Sequence, residues 1–201
     1  MAERSMLFSG EMVCALLAGR KTQTRRLLKP QPTNGEDFVG LYAPGLTAVF
    51  SSGGMADSTV RLPHLPGDRL WVRECFTVTQ HDMPVYRADA RDARGNRWSS
   101  IEPGDPAGEV KWRSPVFMPK WASRITLHVT NVRVQRVQEI SESDAWAEGM
   151  DQRVDATCRE DFADLWNRLH ARRGMGWDVN PWVMAISFKT ERKNISEARD
   201  G

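Results

Sequence analysis

Apolar residues recur along this chain with two periods. Met12, Val13, Leu16 and Leu17 form a helical stripe that Ser9 can cap and Gly19 can stop. Phe162, Leu165, Trp166 and Leu169 repeat at i, i+3, i+4 and i+7 behind a Thr157–Glu160 capping box, and Arg172, Arg173 and Gly174 close that helix. Ser141 and Asp144 open a shorter helix ending at Glu148 and Gly149. Period-two stretches are more numerous. After the turn Pro66-Gly67-Asp68, the residues Leu70, Val72, Phe76 and Val78 share one face of an extended stretch over 69–78. Residues 22–28 and 83–88 also read as strands. Ile125, Leu127 and Val129 alternate, then Val132 and Val134 continue with opposite parity, which implies a bulge or bend at 130–131. Trp182, Met184, Ile186 and Phe188 make a last strand.

Between these elements the composition changes. Residues 30–66 are rich in Gly, Pro and Ser and read as a long loop insertion; residues 89–110 read as a second one. Residues 191–201 form a charged tail expected to be disordered. Strands outnumber helices, so the pattern predicts an α+β domain over residues 1–190, a small curved sheet or barrel with a few short helices packed at its ends.

At 201 residues, 40% hydrophobic and 27% charged, the composition is that of a soluble globular chain. No apolar run is long enough to span a bilayer. Cys14, Cys75 and Cys158 are odd in number and widely spaced, which points to a reducing, cytoplasmic setting. No Cys/His spacing fits zinc, and no glycine-rich phosphate loop is present, so neither a metal nor a cofactor is expected.

The net charge of +2 says little by itself; its clustering says more. Gly19 to Arg26 carries Arg20, Lys21, Arg25 and Arg26 with Thr22 and Thr24, and no acidic residue lies between Glu11 and Glu36. Such a segment suits an anionic or nucleotide-like ligand. Residues 110–138 also lack acids, and there Lys120 and Arg124 are interleaved with Trp112, Phe117 and Trp121, a pattern suited to phosphate attraction plus base stacking. Glu74 falls on the apolar face of its strand, so it must be paired, protonated or functional; an arginine partner is the simplest resolution. Glu148 sits at the negative end of a helix dipole, an unfavourable place for a carboxylate unless something holds it there.

Ala18-Gly19-Arg20-Lys21-Thr22-x-Thr24-x-Arg26 after a short helix resembles the signature of ASCH domains, which share the PUA-like β-barrel. Residues 66–74 (with Arg73 and Glu74), 118–127 (with Lys120, Trp121 and Arg124), 140–149 and 180–183 are similar to prophage-type members of that family. The resemblance implies RNA or a nucleoside or nucleotide as ligand and says nothing of protein partners; the lack of a long apolar run is what argues against a membrane. It also implies a possible chemistry, because a bacterial branch of the family hydrolyses the acetyl amide of N4-acetylcytidine. Carried over by motif, Lys21 would accept the proton, Thr24 would be the nucleophile, and Glu148 would be the proton donor, with Glu74 as the rival carboxylate. Some family members are described as ribonucleases. Lys21 and Thr24 differ by three, so they converge only if Lys21 lies in the turn before the strand.

Overall fold

In a computed structural model, described at residues 2–32, 35–42, 46–53, 58–78, 82–89, 111–150 and 156–198, short strands dominate and a few short helices join them. In chain order they are β1 (Glu3–Leu7), α1 (Gly10–Leu17), β2 (Gln23–Leu27), β3 (Asp37–Tyr42), β4 (Thr47–Ser51), β5 (Ser58–Arg61) and β6 (Arg69–Arg73). Then follow β7 (Phe76–Val78), β8 (Pro84–Tyr86), β9 (Thr126–Arg136), α2 (Glu142–Ala147), α3 (Cys158–His170) and β10 (Trp182–Glu191). The chain folds as two units: Met1–Gly19, Arg69–His128 and Thr190–Gly201 make the first, Arg20–Asp68 and Val129–Lys189 the second.

In the first unit β1 runs parallel to β6, with Glu3 opposite Arg69 and Leu7 opposite Arg73. On its other edge β6 pairs antiparallel with the start of β9, Leu70 against Leu127. Ser9 accepts the Met12 N–H at the start of α1; of the expected stripe Val13 and Leu16 are buried and Met12 and Leu17 half-buried, and Ala15 joins the buried side. The extended stretch over 69–78 is interrupted at Glu74 and Cys75, so that β7 pairs with β8. At the break the Glu74 N–H donates to Met118 Sδ, 44 residues away in sequence. Phe76, Met118 and Ala122 build a small core of their own there.

The charged tail does not begin at residue 191. Ile195 is fully buried, Asn194 Nδ2 donates to the Ser123 carbonyl at 2.6 Å, and Thr126 Oγ1 donates to the Lys193 carbonyl. One buried isoleucine and hydrogen bonds from Asn194, Thr126 and Arg69 anchor the segment, and none of these registers in a hydropathy pattern. The tail residues 199–201 lie outside the described residues, as do 90–110 of the second insertion.

In the second unit β10 lies between β9 and β2. β2 is antiparallel to β10, with Thr24 opposite Ile186 and Arg26 opposite Met184. The stretch expected as a loop over 30–66 contains a three-stranded antiparallel sheet, β3-β4-β5. Its strands are four to six residues long, too short for periodicity to stand out among turn residues. Ala48, Phe50 and Val60 are buried, and the Phe50 ring meets Trp182 edge-on at 5.1 Å between centroids. β9 is one continuous strand; the change of parity appears as two successive exposed residues, Thr130 and Asn131. α3 has the expected capping box, and Phe162 and Trp166 are buried on its inner face. The architecture is thus mixed α and β. Among the described residues no sheet closes into a barrel.

Candidate functional site

The motif segment sits between α1 and β2, and its backbone is pinned on both sides. The Thr22 N–H donates to the Ala147 carbonyl at the end of α2 (2.8 Å), and the Thr22 carbonyl accepts from the Phe188 N–H of β10 (2.9 Å). Lys21 therefore precedes the strand, in the turn, and is directed toward the end of α2. Its Nζ donates to Glu148 Oε2 at 2.8 Å and to the Glu148 carbonyl at 2.7 Å. That pair of bonds explains how a carboxylate persists at a helix C-terminus. The lysine neutralises it and satisfies a terminal carbonyl that the helix leaves open.

Gln23 and Arg25 alternate on one face of β2 and complete the network. Arg25 Nη1 donates to Glu148 Oε1 at 3.1 Å and to Gln23 Oε1 at 2.6 Å, while Nη2 donates to Asp144 Oδ2 at 2.8 Å. Arg133 from β9 closes on the same Asp144 carboxylate at 2.9 Å. Asp144 and Glu148 lie four residues apart, on one face of α2 and its C-terminal turn, so both carboxylates meet the same row of donors. The pattern signalled Asp144 only as a helix cap; that i, i+4 spacing was the available clue to its second role. Gln23 and Arg133 carried no such signal.

The charges here are out of water. Lys21 is 2% exposed and Glu148 4%. Burial pushes the Lys21 ammonium below its ordinary 10.5. Glu148 opposes this by charge and hydrogen bond, and Arg26 and Arg25 add to the lowering. For Asp144 burial acts upward, but Arg25 and Arg133, with the Gln23 hydrogen bond, outweigh it and hold the carboxyl below its ordinary 3.8.

The other residues of interest divide. Arg20 Nη1 donates to the Gly149 carbonyl at 3.4 Å, and Arg26 Nη1 to the Arg25 carbonyl; both are half-buried. Thr24 is 1% exposed in β2, on the face opposite Gln23 and Arg25, and the bonds that gather Lys21, Arg25 and Glu148 do not include it. Glu74 belongs to the first unit, where Arg124 grips both its oxygens at 2.9 and 3.0 Å and also binds Asp89. Burial raises the Glu74 carboxyl above its ordinary 4.5 despite Arg124, and Asp89 adds to the rise. The Arg124 guanidinium lies 3.9 Å from the centroid of the Tyr86 ring, and that of Arg73 4.6 Å from the Trp71 ring. Lys120 pairs with Glu3, and Trp121 is exposed. The structure thus joins Lys21, Arg25 and Glu148, and places Glu74, Arg73, Lys120, Trp121 and Arg124 in the other unit.

No family model and no curated protein matches this chain. Among solved structures it is similar to a protein of Enterococcus faecalis V583 of the DUF984 family, with 14% identity and a TM-score of 0.43 over 97% of this chain and 83% of that one. It is likewise similar to an ASCH domain from Lactobacillus crispatus JV V101, with 13% identity and a TM-score of 0.44 over 94% and 79% of the two chains.

Proposed function

We propose that this chain is an ASCH-type protein of PUA-like fold whose second unit binds RNA or a modified nucleotide at the segment from Arg20 to Arg26. The observation that carries the reading is the buried Lys21–Glu148 pair, with Arg25 behind it and Arg20 and Arg26 half-buried beside it. A buried ion pair is weak support for stability, because desolvation offsets most of the attraction. Its location in the motif segment therefore favours a role in recognition or chemistry. Arg20 and Arg26, the least enclosed cations of the segment, supply the contacts to the ligand, and Lys21 with Glu148 lies behind them.

Binding through these cations makes affinity fall with salt. Fluorescence anisotropy with a short single-stranded RNA is expected to show such a dependence and a several-fold loss in Arg20→Ala. No binding at low salt overturns the reading.

A second reading, hydrolysis of an N4-acylated cytidine, is favoured by one observation, the buried Lys21 ammonium held 2.8 Å from a carboxylate, where burial works to lower its pKa. A lysine shifted downward can act as a base, and Glu148 can return a proton to the leaving amine. Thr24 would have to turn toward the pair on ligand binding. Mass-spectrometric turnover of N4-acetylcytidine that is lost in Lys21→Met supports it; turnover equal in both proteins dismisses it.

A further inference from the structure

The Glu148 carboxylate divides its two oxygens. Oε2 accepts from the Lys21 ammonium at 2.8 Å, and Oε1 accepts from Arg25 Nη1 at 3.1 Å. A guanidinium left to itself tends to grip a carboxylate through two nitrogens. Arg124 does so in the first unit, reaching Glu74 through Nε and Nη2 at 2.9 and 3.0 Å. Arg25 instead gives Glu148 one nitrogen. Its Nη2 is drawn to Asp144 Oδ2 at 2.8 Å, and its Nε is buried with no hydrogen-bond partner among the described residues. The Arg25 side chain is fully out of water, so its orientation rests on the groups that hold it.

Gln23 is one of those groups. Its Nε2 donates to Asp144 Oδ1 at 3.2 Å and to Ser187 Oγ at 3.3 Å, which turns its Oε1 toward Arg25 Nη1 at 2.6 Å. Asp144 is the group that competes with Glu148, because it is the other carboxylate paired with Arg25. Burial acts to raise the Asp144 carboxyl, but Arg25 and Arg133, with the Gln23 hydrogen bond, outweigh it, so the group stays ionised and keeps its hold. An acid in the first turn of α2 suits the helix dipole whatever it touches. The dipole does not account for contacts with Gln23 and Arg25 of β2 and Arg133 of β9. Besides burial, the groups that act on the Lys21 charge are Glu148, Arg26 and Arg25. A change at Asp144 is therefore expected to reach Lys21 through Arg25.

We propose that Asp144 is a positioning residue of the site: by holding one arm of Arg25 it keeps Glu148 Oε2 for Lys21. This role rests on the reading of Arg20 to Arg26 as the ligand site, and it names the group that maintains the pair behind the ligand. Asp144 acts through Arg25. Without its charge, Arg25 closes on both oxygens of Glu148 and displaces the Lys21 ammonium.

The test titrates the Lys21 ammonium by heteronuclear NMR of its side chain, assigned through its loss in Lys21→Met. In Asp144→Asn the midpoint is expected about one pH unit below that of the wild type. In an Arg25→Lys background, Asp144→Asn is expected to leave the midpoint in place, because a lysine keeps the charge but has no second arm to redirect. An Asp144→Asn midpoint equal to that of the wild type overturns the role, and so does a fall that persists undiminished with Arg25→Lys. Where Asp144→Asn does not fold, Gln23→Met takes its place. It frees Nη1 from its other acceptor and is expected to lower the midpoint by less; an unmoved midpoint there overturns the role. Binding supplies a readout of opposite sign. Loss of a carboxylate beside a cationic segment would by charge alone tighten binding of single-stranded RNA. Displacement of Lys21 is expected instead to weaken it several-fold in fluorescence anisotropy, and tighter binding by Asp144→Asn overturns the role. A lowered midpoint in a protein whose wild type neither binds RNA nor turns over N4-acetylcytidine upholds the role of Asp144 and overturns the nucleotide reading.

Discussion

At the scale of single residues, the balance at Lys21 decides what the motif segment can do. Its ammonium is buried, which disfavours charge, yet it donates to a carboxylate and a carbonyl, which favours it. Removing the lysine leaves Glu148 buried with the Arg25 ion pair still holding its carboxylate. Lys21→Met is therefore expected to destabilise the protein by about 3 kcal/mol in urea denaturation, at the low end for a broken buried pair because Arg25 remains. Glu148→Gln in the same background is expected to recover part of that loss. The pH dependence has a definite sign. The unfolded chain keeps the Lys21 proton up to 10.5, while the folded chain releases it at lower pH. Between those two values the unfolded state binds more protons, so stability contributed at this site grows as pH rises through the window below 10.5. The stability difference between wild type and Lys21→Met, measured by denaturation over that window, should widen with pH; a flat difference rules the shift out.

At the scale of elements, legibility followed length and locality. α3 announces itself through its cap, its stripe and its closing arginines, all within one segment. Thr157 accepts the Glu160 N–H and Glu160 returns a bond to the Thr157 N–H at 2.8 Å. Thr157→Ala is expected to lower stability by about 1 kcal/mol, read as a fall in melting temperature. An unchanged melting temperature would mean that packing of Phe162 and Trp166 alone fixes the helix. β1 was not legible, because only Met6 of its five residues is buried and its parallel partner lies more than sixty residues away. β3, β4 and β5 were hidden by the turn residues that join them. The break at Glu74 depends on Met118 and Arg124, which no local pattern connects to it.

At the scale of the whole molecule, the segment from Arg20 to Arg26 stood out by charge alone, and Glu148 by its uncomfortable position on a helix. What joins them is the pinning of Thr22 between α2 and β10, a long-range fact that no spacing encodes. The acid-free segment at 110–138 looked equally suited to nucleic acid by composition. In the fold its Arg124 is committed to Glu74 and Asp89 and its Lys120 to Glu3, while Trp121 stays exposed. No described helix is long and apolar enough to cross a membrane. Two basic segments, one in each unit, are thus alternative candidates for ligand contact, and the choice between them can be observed directly. Backbone amide NMR during titration with a short single-stranded RNA at low salt locates the contact residue by residue. The account predicts that the perturbed amides cluster at residues 20–26 and 147–149. Perturbations confined to residues 111–124 would contradict it.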